Sequence, residues 1–316
     1  MTRSKYKFTK PLSLRPGSTL AVISPASTPK RELVERGIAE LEALGYSVKL
    51  GRHALASGPL YYAGSLKERL EDIHAAFSDN AIDGIVCTRG GWGSAELLPY
   101  LDAELIRANP KAFIGYSDHT SLHSWFQNEA NLTTFYAPMV ASDFGREDGV
   151  DLTSWRSTFD GETGWSLGST AGLRVLQKGT TEGMLLGGCI SILAAGLGTP
   201  YAPRLADSVL FLEDIGTKPY QWDRMLLHLR YSGRLENVRG IIFGDMAQCV
   251  AAEEQDLLER AILHGLRGFD GPVGIGLRCG HVYAANVTLP LGVEVRLELD
   301  DAENPQLTFL EAAVSG

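Results

Sequence analysis

The chain is poor in the features that tie a protein to nucleic acid, a bilayer or an oxidising compartment. Its 29 Lys and Arg are outnumbered by 38 Asp and Glu, giving a net charge of −9. That leaves no basic stripe to displace counterions from phosphate, so a nucleic-acid partner is not expected. No run approaches the roughly 18 apolar residues of a membrane span. The opening stretch "MTRSKYKFTKPLSLRPGS" has basic residues but no apolar segment behind them, so it does not read as a secretory signal. Only four cysteines occur in 316 residues (Cys87, Cys189, Cys249 and Cys279), with no CxxC pair and no histidine at metal-ligand spacing. Buried thiols in a reduced, cytoplasmic setting are the plain expectation. HxxE and HExxH are also missing, which removes the usual zinc-peptidase signature, and neither a metal nor a cofactor is expected.

What remains is an ordinary globular composition, 44% hydrophobic and 21% charged, in a chain long enough for two domains. From residue 18 onward, short apolar runs alternate with helical periods. "TLAVIS", "SVKLG", "DGIVCT", "KAFIGYS" and "TTFYAP" read as five strands, and the segments between them carry apolar faces such as Val34, Ile38, Leu41 and Leu44. Alternation of this kind predicts an α/β domain with a parallel sheet covered on both faces, over residues 1–140. Residues 141–170 are polar, Gly-rich and aperiodic and read as a linker. Residues 171–316 are strand-rich, with helices expected after Pro219 and over roughly 252–267, and predict a compact β-rich domain.

Three strand ends carry candidate chemistry. In "FIGYSDHTSLHSWF" Ser117 stands where a buried strand meets a helix, the place where open α/β sheets bind ligands. A serine there either caps the helix or serves as a nucleophile, with the amides of the next turn available to an oxyanion. The loop "RGGWGS" brings backbone close to a ligand, but no Lys-Ser/Thr follows it, so it is not a phosphate loop. "VLFLED" ends on Glu213 and Asp214. Their side chains alternate along a strand, so at most one is expected to face a shared cleft. His281 in "RCGHVY" lies in a loop after a buried strand, whereas His74, His123, His228 and His264 fall on charged helical patterns and read as surface residues. His119 follows Ser117 too closely to turn back on its hydroxyl. A serine, a carboxylate and a histidine at strand ends are the inventory for acyl transfer.

The motifs "VISPAS", "YYAGSLKERLEDIHAAF", "RGGWGSAELLPYLD", "FIGYSDHTSLH", "TFYAPM", "EGMLLGG", "LEDIGTKPYQWDRMLLHL" and "GHVYAANVTLPLG" occur in that order along nearly the whole chain. Together they resemble the LD-carboxypeptidase family of serine peptidases, which includes microcin-immunity enzymes. The resemblance implies a flavodoxin-like N-terminal domain, a β-rich C-terminal domain and a site between them. By position it makes Ser117 the nucleophile, His281 the base and Glu213 its partner, with the amides of Gly91 and Asp118 as oxyanion donors. It also implies a homodimer and release of terminal D-Ala from cytoplasmic murein tetrapeptide during cell-wall recycling. Cys189, Tyr136 and His119 depart from the family pattern, which more often has Asn, His and an aliphatic residue there. Two other readings stand beside this one. The first is hydrolysis of an aminoacyl-nucleotide conjugate, for which Trp155 or Trp165 could stack on the base, although ordinary linker packing is the favoured reading of both. The second is a non-catalytic two-domain module that closes on a small molecule.

Overall fold

The computed structural model describes residues 7–316; the first six residues of the basic N-terminal stretch lie outside the described residues. All five expected strands form: β1 (Thr19–Ile23), β2 (Ser47–Leu50), β3 (Gly84–Cys87), β4 (Ala112–Gly115) and β5 (Thr134–Tyr136). They pair in parallel in the order β2-β1-β3-β4-β5. Helices α1 (Arg31–Ala43), α2 (Leu66–Ser78), α3 (Ala103–Ala108) and α4 (Thr120–Ala130) connect them. The apolar face read for α1 is buried at Val34 and Leu41. α2 starts on a capping box, in which Ser65 Oγ accepts the Glu68 N–H and the Glu68 carboxylate accepts the Ser65 N–H.

Residues 141–170 are more ordered than their composition implies. They hold a π-type turn at Val140–Phe144, a helix α5 (Leu152–Phe159) capped by Asp151, and β6 (Ser166–Gly168). Trp155 on α5 is buried against Phe144 and Phe159 and donates its indole N–H to the Tyr46 hydroxyl. Several of its polar residues, among them Asp143, Ser154 and Thr158, are themselves buried, so the composition does not mark the inward face and the period is masked.

The C-terminal half builds an eight-stranded mixed sheet from β6, β7 (Arg174–Gln177), β8 (Thr180–Cys189), β9 (Ser208–Glu213), β10 (Gly240–Gly244) and β11 (Val273–Leu277), together with the later β13 (Glu294–Glu298) and β14 (Gln306–Phe309). β8, β9, β10 and β11 run parallel at its centre. Helices α6 (Ile190–Ala195), α7 (Pro219–Tyr231) and α8 (Gln255–Gly265) complete this half. β8 was hard to see in the sequence because it carries Gly187, where a Cβ would come within 1.9 Å of the Phe211 carbonyl oxygen. Close approach to β9 requires the glycine there. β12 (Leu289–Leu291), although late in the chain, joins the first sheet antiparallel to β5. The molecule is therefore a two-domain α/β fold whose first sheet is mostly parallel. Among the described residues no helix is long and apolar enough to cross a membrane.

Candidate active site

The carboxyl ends of β3, β4 and β5 in one sheet and of β8 and β9 in the other converge on one cavity of about 410 Å³. Its walls include Arg89, Gly91, Ser117, Asp118, Asp214 and His281.

Ser117 lies two residues past the end of β4 and adopts φ +65°. A left-handed serine costs of order 1 kcal/mol and concentrates at functional turns. Neither the short Ser117–His119 turn nor α4 receives a side-chain cap from it. The cap reading therefore fails. The Ser117 N–H instead donates to the Tyr136 hydroxyl at 3.0 Å. Room for the serine comes from Gly90, where a Cβ would stand 2.7 Å from the Ser117 Cβ. This strand–turn–helix arrangement is the geometry of a nucleophile elbow.

Glu213 ends β9 and is 1% exposed. One carboxylate oxygen receives His281 Nδ1 at 2.8 Å and the His281 backbone N–H at 3.1 Å; the other accepts the Tyr136 hydroxyl. Gly280 makes the double contact possible, since a Cβ at its φ of +91° would come within 2.5 Å of the Glu213 carboxyl carbon. Burial pushes Glu213 up, but the His281 charge and the hydrogen bonds from His281 and Tyr136 outweigh it and hold the carboxyl below its ordinary value. Burial likewise works against the His281 imidazolium, and the Glu213 charge and hydrogen bond overcome it, so His281 titrates above the usual histidine value. The ring stands edge-on to Tyr116, with centroids 5.3 Å apart.

The Asp118 carboxylate accepts the Ser94 N–H at 2.7 Å, which ties the serine turn to the glycine loop. That loop is held from behind by Arg69. Its guanidinium is buried, donates to the Pro25 and Gly93 carbonyls and to Glu96, and lies over the Tyr62 ring. The His281 loop is clamped from residues 139–149. Asp143 accepts the Met139 N–H at 2.9 Å and the Asn286 side-chain amide at 3.2 Å, Asn286 accepts the Gly280 N–H, and Arg146 donates to the Tyr283 and Ala284 carbonyls. Arg69, Asp143, Arg146 and Asn286 were missed in the sequence. For Arg69 the only signal was an arginine on the apolar face of α2.

Of the two carboxylates at the end of β9, Asp214 lines the cavity while Glu213 stands behind His281, so one of the pair faces the cleft, as expected; Asp214 accepts the Ser191 and Ile215 N–H groups. One expectation needs correction. His123 is fully buried with Nε2 at 2.8 Å from the Gly115 carbonyl oxygen, not on the surface. Trp155 is enclosed in the core and Trp165 stacks on Phe309 at 4.0 Å, and neither lines the cavity. His119 is buried beneath β4, edge-on to Phe113. Burial drives both His119 and His123 down to about 3.

The LD-carboxypeptidase N-terminal domain matches residues 20–137 of this chain, and the LD-carboxypeptidase C-terminal domain matches residues 182–297. The chain belongs to the LD-carboxypeptidase family. It is 34% identical over 310 residues to the probable murein peptide carboxypeptidase of Bacillus subtilis, covering 97% of this chain and 95% of the relative. It is 33% identical over 290 residues to the murein tetrapeptide carboxypeptidase of Pseudomonas aeruginosa, covering 88% and 92%. Among solved structures, an MccF-like protein of Bacillus anthracis superposes with a TM-score of 0.85 at 27% identity, over 95% of this chain and 99% of that one. Membership makes this LD-carboxypeptidase relative a peptidase.

Proposed function

We propose that the protein is a serine-type LD-carboxypeptidase that hydrolyses the L,D amide joining terminal D-Ala to the preceding residue of cytoplasmic murein tetrapeptide. One observation supports the reading: a left-handed Ser117 borders the same cavity as His281, whose ring is hydrogen-bonded from behind to the buried Glu213. Ser117 attacks the scissile carbonyl while His281 accepts its proton, and the oxyanion is met by the amides of Gly91 and Asp118. His281 then returns the proton to the departing amine, leaving an acyl-enzyme. Water, activated by the same histidine, cleaves that ester and restores Ser117. Glu213 fixes the imidazole tautomer throughout. Among the described residues Arg89 is the only lysine or arginine lining the cavity, and it is the group to pair with the terminal carboxylate; Arg230 borders a separate pocket.

Incubation with murein tetrapeptide and mass detection of released alanine tests the proposal. Release from the L,D tetrapeptide, with little from its C-terminal amide or from the D,D-linked pentapeptide, is the expected result. Equal rates on all three would refute it, and preference for an aminoacyl-nucleotide conjugate would move the protein to the immunity branch of the family.

A further inference from the structure

A second cavity, of about 630 Å³, adjoins the first and shares Arg89 and Gly91 with it. Ser27, Thr28, Ser57, Gly58, Tyr61 and Trp92 complete its lining. Of the two aromatics, Trp92 is presented outward on a rigid support. Trp92 is 58% exposed, yet its indole N–H donates to the Tyr62 hydroxyl at 3.1 Å and its backbone N–H donates to Ser27 Oγ at 3.0 Å. Tyr62 rests in turn beneath the buried Arg69 guanidinium, 4.5 Å from its ring centroid. Opposite, Leu60 and Tyr61 adopt successive left-handed conformations, φ 54° and 71°, and Tyr61 is 80% exposed. Two consecutive non-glycine residues in that region are strained, and strain of this kind persists where a site needs it. An exposed aromatic ring held in place beforehand loses little freedom when a ligand covers it.

Resting on the proposed carboxypeptidase reading, we infer that this cavity is the subsite for the acyl arm of the substrate, the peptide upstream of the scissile bond, packed between Trp92 and Tyr61. The direction follows from the chemistry. The carbonyl oxygen held by the Gly91 amide belongs to the acyl half, so that half lies at the shared rim. The leaving half is a single residue, which the first cavity holds with room to spare, whereas the longer arm must continue outward past Gly91. The hydroxyls of Ser27, Thr28 and Ser57 suit the amides of such an arm. The motif "YYAGS" and the Trp of "RGGWGS" thereby acquire a use that the catalytic groups alone do not give them.

The test crosses enzyme variants with substrate truncation. Wild type, Trp92→Ala, Tyr61→Ala and Trp92→Phe are assayed on murein tetrapeptide and on an N-acetylated L,D dipeptide ending in the same D-Ala. Trp92→Ala is expected to lower kcat/KM on the tetrapeptide about tenfold, mainly through KM, and to leave the dipeptide within about twofold. Tyr61→Ala follows the same pattern more weakly, and Trp92→Phe retains most of the preference. Equal losses on both substrates, or a wild type that does not distinguish them, would overturn the subsite while leaving the carboxypeptidase reading intact. Loss of the preference for the tetrapeptide over its C-terminal amide in Trp92→Ala would place the leaving residue there and also overturn it. A wild type that cleaves neither substrate, with Trp92 fluorescence quenched by adenosine monophosphate, would remove both readings in favour of a nucleobase on the same shelf.

Discussion

The Tyr136 hydroxyl accepts the Ser117 N–H at 3.0 Å and donates its own proton to Glu213. One phenol, at the end of β5, thus joins the backbone of the proposed nucleophile to the carboxylate that holds the proposed base. It satisfies an amide that the left-handed turn leaves outside the helix, and it takes up the Glu213 oxygen that His281 does not use. The Tyr136→Phe variant should keep the fold and KM and lose about one to two decades of kcat, comparable to removing one oriented hydrogen bond in an active site. With one donor gone, the Glu213 charge acts more strongly on His281, so the acid limb of the kcat/KM profile should move to higher pH. A slower enzyme with an unmoved limb would restrict Tyr136 to backbone support.

The members of the proposed triad should respond unequally. Ser117→Ala and His281→Ala should each remove about three or more decades of turnover, and the double variant little more, because they act as a unit. Glu213→Gln should fold and still lose much activity, since an amide cannot hold the imidazolium that forms. Inactivation by His119→Leu, with His281→Ala active, would show that the base has been misassigned. The measurement is single-turnover alanine release.

Activity should fall on acidification at a higher pH than an ordinary histidine implies. His281 must be neutral to accept a proton, and the Glu213 charge holds its titration above about 6.5. The acid limb of kcat/KM should accordingly lie above that value in wild type and move to lower pH with Glu213→Gln. The same pair affects stability with opposite signs. The raised His281 contributes below its unfolded value and loses that contribution as pH rises through its folded one; the lowered Glu213 contributes above its unfolded value and loses it as pH falls through its folded one.

Acid stability should be dominated by different histidines. His119 and His123 stay neutral to about 3 because burial excludes the charge, whereas in the unfolded chain they bind protons from about 6.5 downward. The unfolded state therefore takes up more protons below pH 6.5, and each residue lowers stability by up to about 1.4 kcal/mol per pH unit there. Urea midpoints at pH 7.5 and 5.0 should show the drop, and His119→Leu should reduce it by about 2 kcal/mol. An unchanged drop would mean that the ring is protonated in the fold.

The first sheet was legible because its strands are short continuous apolar runs separated by helical periods, and Ser117, Glu213 and His281 were visible because each stands at an element end. What was hidden depends on contacts across the chain. β12 reads as a strand in "NVTLP", but nothing local says that it leaves its neighbours for β5. Asp143 and Asn286 are 3.2 Å apart in space and far apart in sequence, and a buried carboxylate in a polar stretch looks like any solvated one. His123 was misread because Gln127, Asn128 and Glu129 nearby made the face look wet, whereas its nitrogen caps a carbonyl in the core.

The antiparallel seat of β12 against β5 also governs how the chain emerges during synthesis. When Tyr136 leaves the ribosome the first sheet has all its parallel strands, but the outer edge of β5 must wait about 150 residues for Leu289–Leu291. At elongation rates of about 5–20 residues per second, that edge stays bare for about 8–30 s. An unpaired apolar strand edge is a template for a neighbouring nascent chain, so this interval is the vulnerable period of biogenesis. His281 arrives a few residues before this closure, so Ser117 and its proposed base meet only when the edge is about to be sealed.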